Sequence, residues 1–449
     1  MSTTTAHKAS HLRPAHSSPL NTEPSPRAGS SPRPGSYQPI EPQQPGAPRP
    51  RTERLSHGAG FWVVSGTFVV GMAFSTIPTP LWGLYRQRDG FSTLWVTVAF
   101  AAYAVGVIVS LFLVGHVSDW VGRTRVLLPA LLVEAVAAVL FLVWTSLPGL
   151  IVARVLTGLG VGMITATATA HLAELHAVAR PDEATTRPGV VAVAANLGGL
   201  ALGPLVAGIL AVLAPHPLVV PDVVFLVLLV VGAIAVSGVP ETVRAESRPY
   251  RPQRITVPRR ARGRYVAVTA AAFGLFAIMG LFTSLAPSFL SSIGQRSPLV
   301  GGLAAFLVFA AAAGSQIALG SLPAPRQLGL GLTVTAAGML VLGSGVIATS
   351  AVAFLAGGLV AGGGAGLLLK GALGTAGQLA PAESRGEAIA GVFLGGYTGL
   401  VVPVLGIGLA SAAGAPLAGS FVVFAVVVLM VLGGTAIALH RYPLADTHV

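Results

Sequence analysis

The 449-residue chain has no cysteine and little charge, with acidic and basic residues together making up 9% of it. Without thiols it forms neither disulfides nor thiolate metal sites. Soluble domains carry ~25% charged residues, so a water-soluble globule is excluded. Acids are the scarcer sign, 15 against 27 basic residues, and Lys supplies only two of those 27. No nucleophile–base set and no metal-ligating cluster appears, so an enzyme is not expected and no cofactor is implied. No phosphate-binding Lys loop appears either, which leaves ATP drive without support. What the chain does have is 53% hydrophobic residues and 56 glycines. The excess of Arg over Lys, with abundant Ala and Gly, suits a bacterial genome rich in G and C.

Long uncharged runs set the organisation. Leu94–Val114 carries no charge and is long enough to cross a bilayer, which takes ~20 apolar residues. Gln327–Leu369 and Ala388–His440 are charge-free for 43 and 53 residues, so each holds two spans. They turn near Thr349-Ser350 and near Gly414-Ala415-Pro416. Further spans are read at Gly58–Tyr85, Val126–Leu150, Leu150–Leu175, Gly189–Ala214, Leu218–Val239, Tyr265–Ser291 and Pro298–Ser321. The chain therefore divides into a tail (1–57), six spans (58–239), a connector with eight Arg (240–264), six more spans (265–440) and a short end (441–449). The tail holds 11 of the 33 prolines and almost no large apolar residues. It is expected to be disordered, and it lacks the apolar core of a signal peptide.

With twelve spans the two termini share one side. Under that topology the tail and the loops on its side carry 22 basic residues, and the opposite loops carry three, Arg86, Arg88 and Arg296. The bias puts both termini in the cytoplasm, in a multi-pass protein of the cell membrane. It also explains the +12 net charge: these Arg residues meet anionic lipid headgroups, and nucleic acid is not an expected partner.

Between the second and third spans lies the polar hinge Gly115-His116-Val117-Ser118-Asp119-Trp120-Val121-Gly122-Arg123-Thr124-Arg125. Its glycines permit close helix approach and unusual backbone angles. Asp119 stands where a helix begins and is placed to cap its N–H groups. The hinge resembles the signature loop of the major facilitator superfamily, matching at Gly115, Asp119, Gly122, Arg123 and Arg125. It departs at Trp120, usually basic, and at Thr124. The resemblance implies an all-α membrane fold of twelve transmembrane helices in two six-helix bundles, working as a monomer by alternating access. Internal similarity agrees: Arg154–Gly162 in the fourth span resembles Gly358–Gly366 in the tenth, and Gly203-Pro204 in the fifth resembles Val402-Pro403 in the eleventh. Repeated halves commonly enclose a site at their interface.

Charges inside a bilayer are costly and usually functional. Arg154, a few residues into the fourth span, resembles the family's Arg there, linked to proton coupling or substrate anions; the plainer alternative is an Arg reaching back to the outer surface. Glu134, near the middle of the third span, is a candidate proton carrier, or equally a neutral carboxyl bonded to a neighbouring helix. Lys370 in the tenth span would hold an anionic substrate or pair with a carboxylate such as Glu174, or else reach headgroups. Gly199-x-x-x-Gly203-Pro204-x-x-Ala207-Gly208 resembles the fifth-span motif of exchange carriers, with Ala207 in place of a Gly; generic helix packing is the alternative. Pro240-Glu241-Thr242-Val243-Arg244 resembles a degraded sugar-carrier signature and says little about substrate. Gly158-x-Gly160-x-Gly162 lacks the strand–helix unit of a nucleotide site, and His171/His176 lack zinc-helix spacing.

The resemblance implies proton-coupled efflux of small organic compounds, with protons and lipid as the other partners. Neutral or anionic compounds suit Arg154 and Lys370. Uptake of a sugar or organic acid is the alternative, and a non-transporting sensor or scaffold is the alternative of another class. Asp119 is expected to latch the cytoplasmic side against the start of the eleventh span, near Glu383 and Arg385, when the opposite side is open.

Overall fold

A computed structural model describes residues 55–184, 186–246, 250 and 261–442. The Pro-rich tail up to residue 54, most of the second half of the connector and residues 443–449 lie outside the described residues, and with them the expected disorder of the tail.

Among the described residues, twelve helices are long and apolar enough to span a membrane. In a bilayer every backbone N–H and C=O must be satisfied within the segment, so an apolar run of this length has helix as its solution. The first span is α1 (His57–Thr76) followed by α2 (Pro78–Asp89). The second is α3 (Thr93–Leu113), and a one-turn helix α4 (Ser118–Val121) occupies the hinge. Then come α5 (Arg123–Val143), α6 (Leu147–Ala179), α7 (Thr186–Leu213) and α8 (Val220–Ser237). The seventh span is α9 (Arg262–Ser284) with α10 (Ala286–Ser292), followed by α11 (Pro298–Ala318) and α12 (Ala324–Ile347). The chain continues through α13 (Ala351–Leu379), α14 (Arg385–Ala412) and α15 (Leu417–Arg441).

The first span of each half breaks at a proline: α1 gives way at Ile77, before Pro78, and α9 at Leu285, before Pro287. Proline has no N–H to donate and crowds the preceding turn, so the helix restarts there. The two turns expected inside the long uncharged runs fall where the sequence puts them. Thr349 takes a left-handed φ of 52° and Ser350 caps α13 by accepting from Ala353 N–H at 3.3 Å. Gly414 takes φ 88° ahead of Pro416. The fourth span is longer than expected: 33 residues at 1.5 Å each reach about 50 Å, well beyond a ~30 Å hydrocarbon core. The excess carries His171, Glu174 and His176 to the end of the bundle that holds the hinge, here the hinge end.

Two six-helix bundles result. Within the first, α3 and α5 pack on α6, and α1 packs on α7. Within the second, α12 packs on α13, and α14 on α9. Small residues allow the closeness: a Cβ at Gly158 of α6 would collide with the Tyr103 carbonyl of α3. The main contacts between bundles are α7 with α11 and α3 with α14. These are one relation applied twice, fifth span to eighth and second to eleventh, as a pseudo-twofold repeat requires.

Candidate functional site

A cavity of about 590 Å³ lies between the bundles. Gly115, His116, Asp119, Gly189 and Gly386 edge it at the hinge end, and Thr79, Arg154, Phe309 and Leu400 bound its depth. Beyond that depth the bundles touch. Gly208 of α7 lies on Pro298 and Leu299 of α11, where a Cβ would stand 2.9 Å from the Pro298 carbonyl oxygen. Gly302 of α11 lies on Pro204, and Gly408 of α14 on Thr97 of α3. The cavity therefore has its mouth at the hinge end and a seal of small residues at the other.

Arg154 turns into this cavity and does not reach for the nearer surface. It is 3% exposed. Its Nη1 donates to the Ser75 carbonyl at 2.7 Å, and its guanidinium carbon stands 4.2 Å from the centre of the Tyr103 ring. Nε is buried with no hydrogen-bond partner among the described residues. The ion pairs among the described residues leave Arg154 without a carboxylate. The cation is thus held by a neutral carbonyl and a ring face, a cation–π arrangement.

Glu134 does not line the cavity. It is 0% exposed between α5, α1 and α6, its carboxyl against Gly71 and its Cγ against Gly160. Neither carboxyl oxygen has a hydrogen-bond partner among the described residues, so the bond to a neighbouring helix that one of the two expected readings supposed is not formed. Lys370 is half-buried and stands outside the cavity wall, with Nζ against Gly320, just past the end of α11. The suggested Lys370–Glu174 pair is not formed, because Glu174 is taken by Arg123.

That pair is the centre of the hinge. Arg123 is buried, and its Nη2 donates to Glu174 Oε1 at 2.7 Å. Its Nη1 donates to Asp119 Oδ1 at 2.5 Å and to Ser118 Oγ at 2.8 Å. Thr242 Oγ1 donates to the other oxygen of Glu174 at 2.5 Å. The expectation that Asp119 caps the following helix is corrected here: the cap is Glu241. Its carboxylate accepts from the backbone N–H of Arg123 at 2.8 Å and of Thr124 at 3.1 Å, placing negative charge at the start of α5. Asp119 faces the mouth instead, with its side chain 61% exposed. Gly122 makes the turn possible with φ 124°, in the region that favours glycine, and a Cβ there would sit 2.6 Å from Glu241 Oε2.

The connector packs on the same hinge. Glu246 N–H donates to the Trp120 carbonyl at 3.0 Å, and Tyr250 stacks on His116 at 5.7 Å. The expected latch partner stands apart at the open mouth: Arg385 Nε donates to the Gly377 carbonyl at 3.0 Å.

Glycines of the fifth-span motif divide between two neighbours. Gly199 and Gly203 rest on Met72, Ala73 and Thr76 of α1, while Pro204 and Gly208 meet α11. His171 lies 3.2 Å from the Pro240 carbonyl and His176 stands beside Phe61, so both sit at helix interfaces. Sequence reasoning missed Glu241 and Thr242 as parts of the hinge. It also missed the rings that face one another in the cavity, Phe100 and Tyr103 from one bundle and Phe276, Phe393 and Tyr397 from the other. The carboxyl right after the sixth span was the one signal for the first group; for the rings there was none.

Comparison with known proteins agrees with this architecture. Residues 63–326 match the family model described as Major Facilitator Superfamily. No curated protein matches the sequence significantly. Among solved structures, the nucleoside transporter NupG, in a mutant form, superposes with a TM-score of 0.65 at 10% identity, covering 84% of this chain and 99% of that one. The POT family transporter PepTSo gives 0.69 at 12% identity, covering 86% and 99%. A peptide transporter POT in complex with sulfate gives 0.69 at 13% identity, covering 85% and 94%. At such identities these likenesses establish the fold, while the family match spans more than half the sequence: the chain belongs to the Major Facilitator Superfamily and is a multi-pass membrane transporter, not an enzyme.

Proposed function

We propose that this transporter is a proton-coupled exporter of small organic compounds, with the hinge end and both termini facing the cytoplasm. The observation that carries the reading is the single-mouthed cavity between two pseudo-equivalent bundles. A carrier needs such a chamber and a second arrangement in which the mouth closes and the opposite seal parts. The seal is suited to parting because it consists of backbone-close contacts at Gly208, Gly302 and Gly408, with no ion pair across it among the described residues. The 22-to-3 distribution of basic residues supports the orientation. The fifth-span motif, which forms both the α1 contact and the seal, supports exchange over uptake.

In the closed-mouth state Asp119 meets the first turn of α14. Both Asp119 and Gly386 edge the mouth, so approach of the bundles brings a carboxylate to the positive end of a helix. Glu134 is the proton-carrying group: its carboxyl is wholly enclosed among α1, α5 and α6 with no hydrogen-bond partner among the described residues, and it can exchange a proton only when movement of these helices opens a polar path to it.

Inverted membrane vesicles test the direction. Export predicts substrate accumulation in them when the interior is made acid, abolished by a protonophore. Accumulation only in right-side-out vesicles, driven by an acid exterior, would replace this reading with uptake. Failure of any compound to move with protons in purified proteoliposomes would leave a sensor or scaffold.

A further inference from the structure

Taking the cavity as the carrier's binding chamber, we propose that it selects small aromatic anions, with the anionic group on Arg154 and the ring between aromatic side chains of both bundles. The argument begins with an unanswered charge. Arg154 is buried, has a free Nε, and has only a carbonyl and a ring for company. A buried cation without a counter-charge is expensive, and most of all in a membrane protein. Among the described residues the cavity wall carries one other charged side chain, Asp119, which stands at the mouth and is bonded to Arg123. Among the described residues no carboxylate lines the cavity at the depth where Arg154 sits, and none is ion-paired with it. A ligand carboxylate, sulfonate or phenolate supplies what is missing, and a ligand cation meets repulsion there.

The walls specify the rest of the ligand. Phe276 stands 5.2 Å from Tyr397 and 6.4 Å from Phe393, ring centre to ring centre, and all three line the second bundle's side. Phe100 and Tyr103, 6.1 Å apart, line the facing side. Rings at these separations favour a further ring over a saturated one of equal size, because edge-to-face and offset contacts add to area burial. The Tyr103 face is already taken by the guanidinium, so the ligand's anionic end and its ring are directed to adjacent positions. A cavity of about 590 Å³ admits one- and two-ring compounds with room to spare.

Binding of three probes that share one ring system separates the possibilities: 2-naphthoate, 2-naphthamide and 2-naphthylmethylammonium. A fourth, saturated decahydro-2-naphthoate, reports on the walls. Affinities are measured on the purified full-length protein by isothermal titration, and transport by counterflow in proteoliposomes. A charge-assisted bond predicts that naphthoate binds about tenfold or more tighter than the amide, with the ammonium weakest. Arg154→Gln should abolish the preference for the anion. Should that variant fail to fold, the native probe series still decides the charge question, and Tyr397→Leu should narrow the gap between naphthoate and its saturated analogue. The ammonium binding tightest, an anion preference that survives Arg154→Gln, or no binding by any of the four would overturn the assignment. Tight, selective naphthoate binding without proton-driven accumulation supports this selection while removing the export reading on which the chamber's role rests.

Discussion

Substitution at Glu241 and Gly122 probes the hinge where two residues 119 positions apart depend on one contact. The Glu241 carboxylate answers Arg123 and Thr124 N–H at the start of α5, and Thr242 and Val243 N–H of its own turn at 3.0 and 3.2 Å. In Glu241→Ala, loss of the cap costs about 1 kcal/mol. Loss of negative charge at a helix N-terminus adds about 0.5 kcal/mol, and loosening of the 241–243 turn about as much again. The expected total is about 2 kcal/mol. Gly122→Ala suffers differently. Its φ of 124° costs a side chain about 1–3 kcal/mol, and the new Cβ, 2.6 Å from Glu241 Oε2, also expels the cap. The cap is thus lost in both single variants and can be lost only once in the double. The double variant should therefore be more stable than the sum of the singles implies, by about 1–2 kcal/mol. Unfolding by SDS titration in mixed micelles, followed by the fluorescence of the five tryptophans, measures all four corners of the cycle. Strict additivity, or a Glu241→Ala protein as stable as the parent, would refute the capping role and return Asp119 to consideration.

Three further outcomes are expected. Asp119→Asn should leave stability within about 1 kcal/mol, because its carboxylate is largely exposed and Arg123 keeps its bonds to Glu174 and Ser118, yet lower the transport rate; native transport would contradict the latch. Glu134→Gln keeps the shape of an unpartnered side chain, so folding should be little changed, while proton-driven accumulation disappears and substrate counterflow persists; loss of both together would assign Glu134 a structural role. The chain has no cysteine, so a single Ala390→Cys on the cavity wall gives a clean probe. An impermeant thiol reagent should modify it from the cytoplasmic side, and bound substrate should protect it; modification from the outer side alone would reverse the proposed orientation.

Much of this architecture is carried by the sequence alone, and the reason is the solvent. A run such as Leu94–Val114 has no charge to interrupt it, and hydrocarbon permits little but a helix. Prolines and turn residues at Ile77-Pro78, Thr349-Ser350 and Gly414 mark the breaks by local chain stereochemistry. The family signature at Gly115–Arg125 was likewise local, since its residues lie within one turn of chain. What the tertiary structure decided were the partners. Nothing near Glu241 in sequence says that its carboxylate caps a helix beginning 118 residues earlier, or that Glu174 joins Arg123 and not Lys370. In the sequence Arg154 allows a surface-seeking reading beside the inward-facing one until the Ser75 carbonyl and the Tyr103 ring are placed beside it. Which rings meet across the cavity depends on how two bundles dock. Hydropathy reports whether a segment leaves water, but almost every segment here does so, and apolar faces in lipid no longer reveal which neighbour they meet.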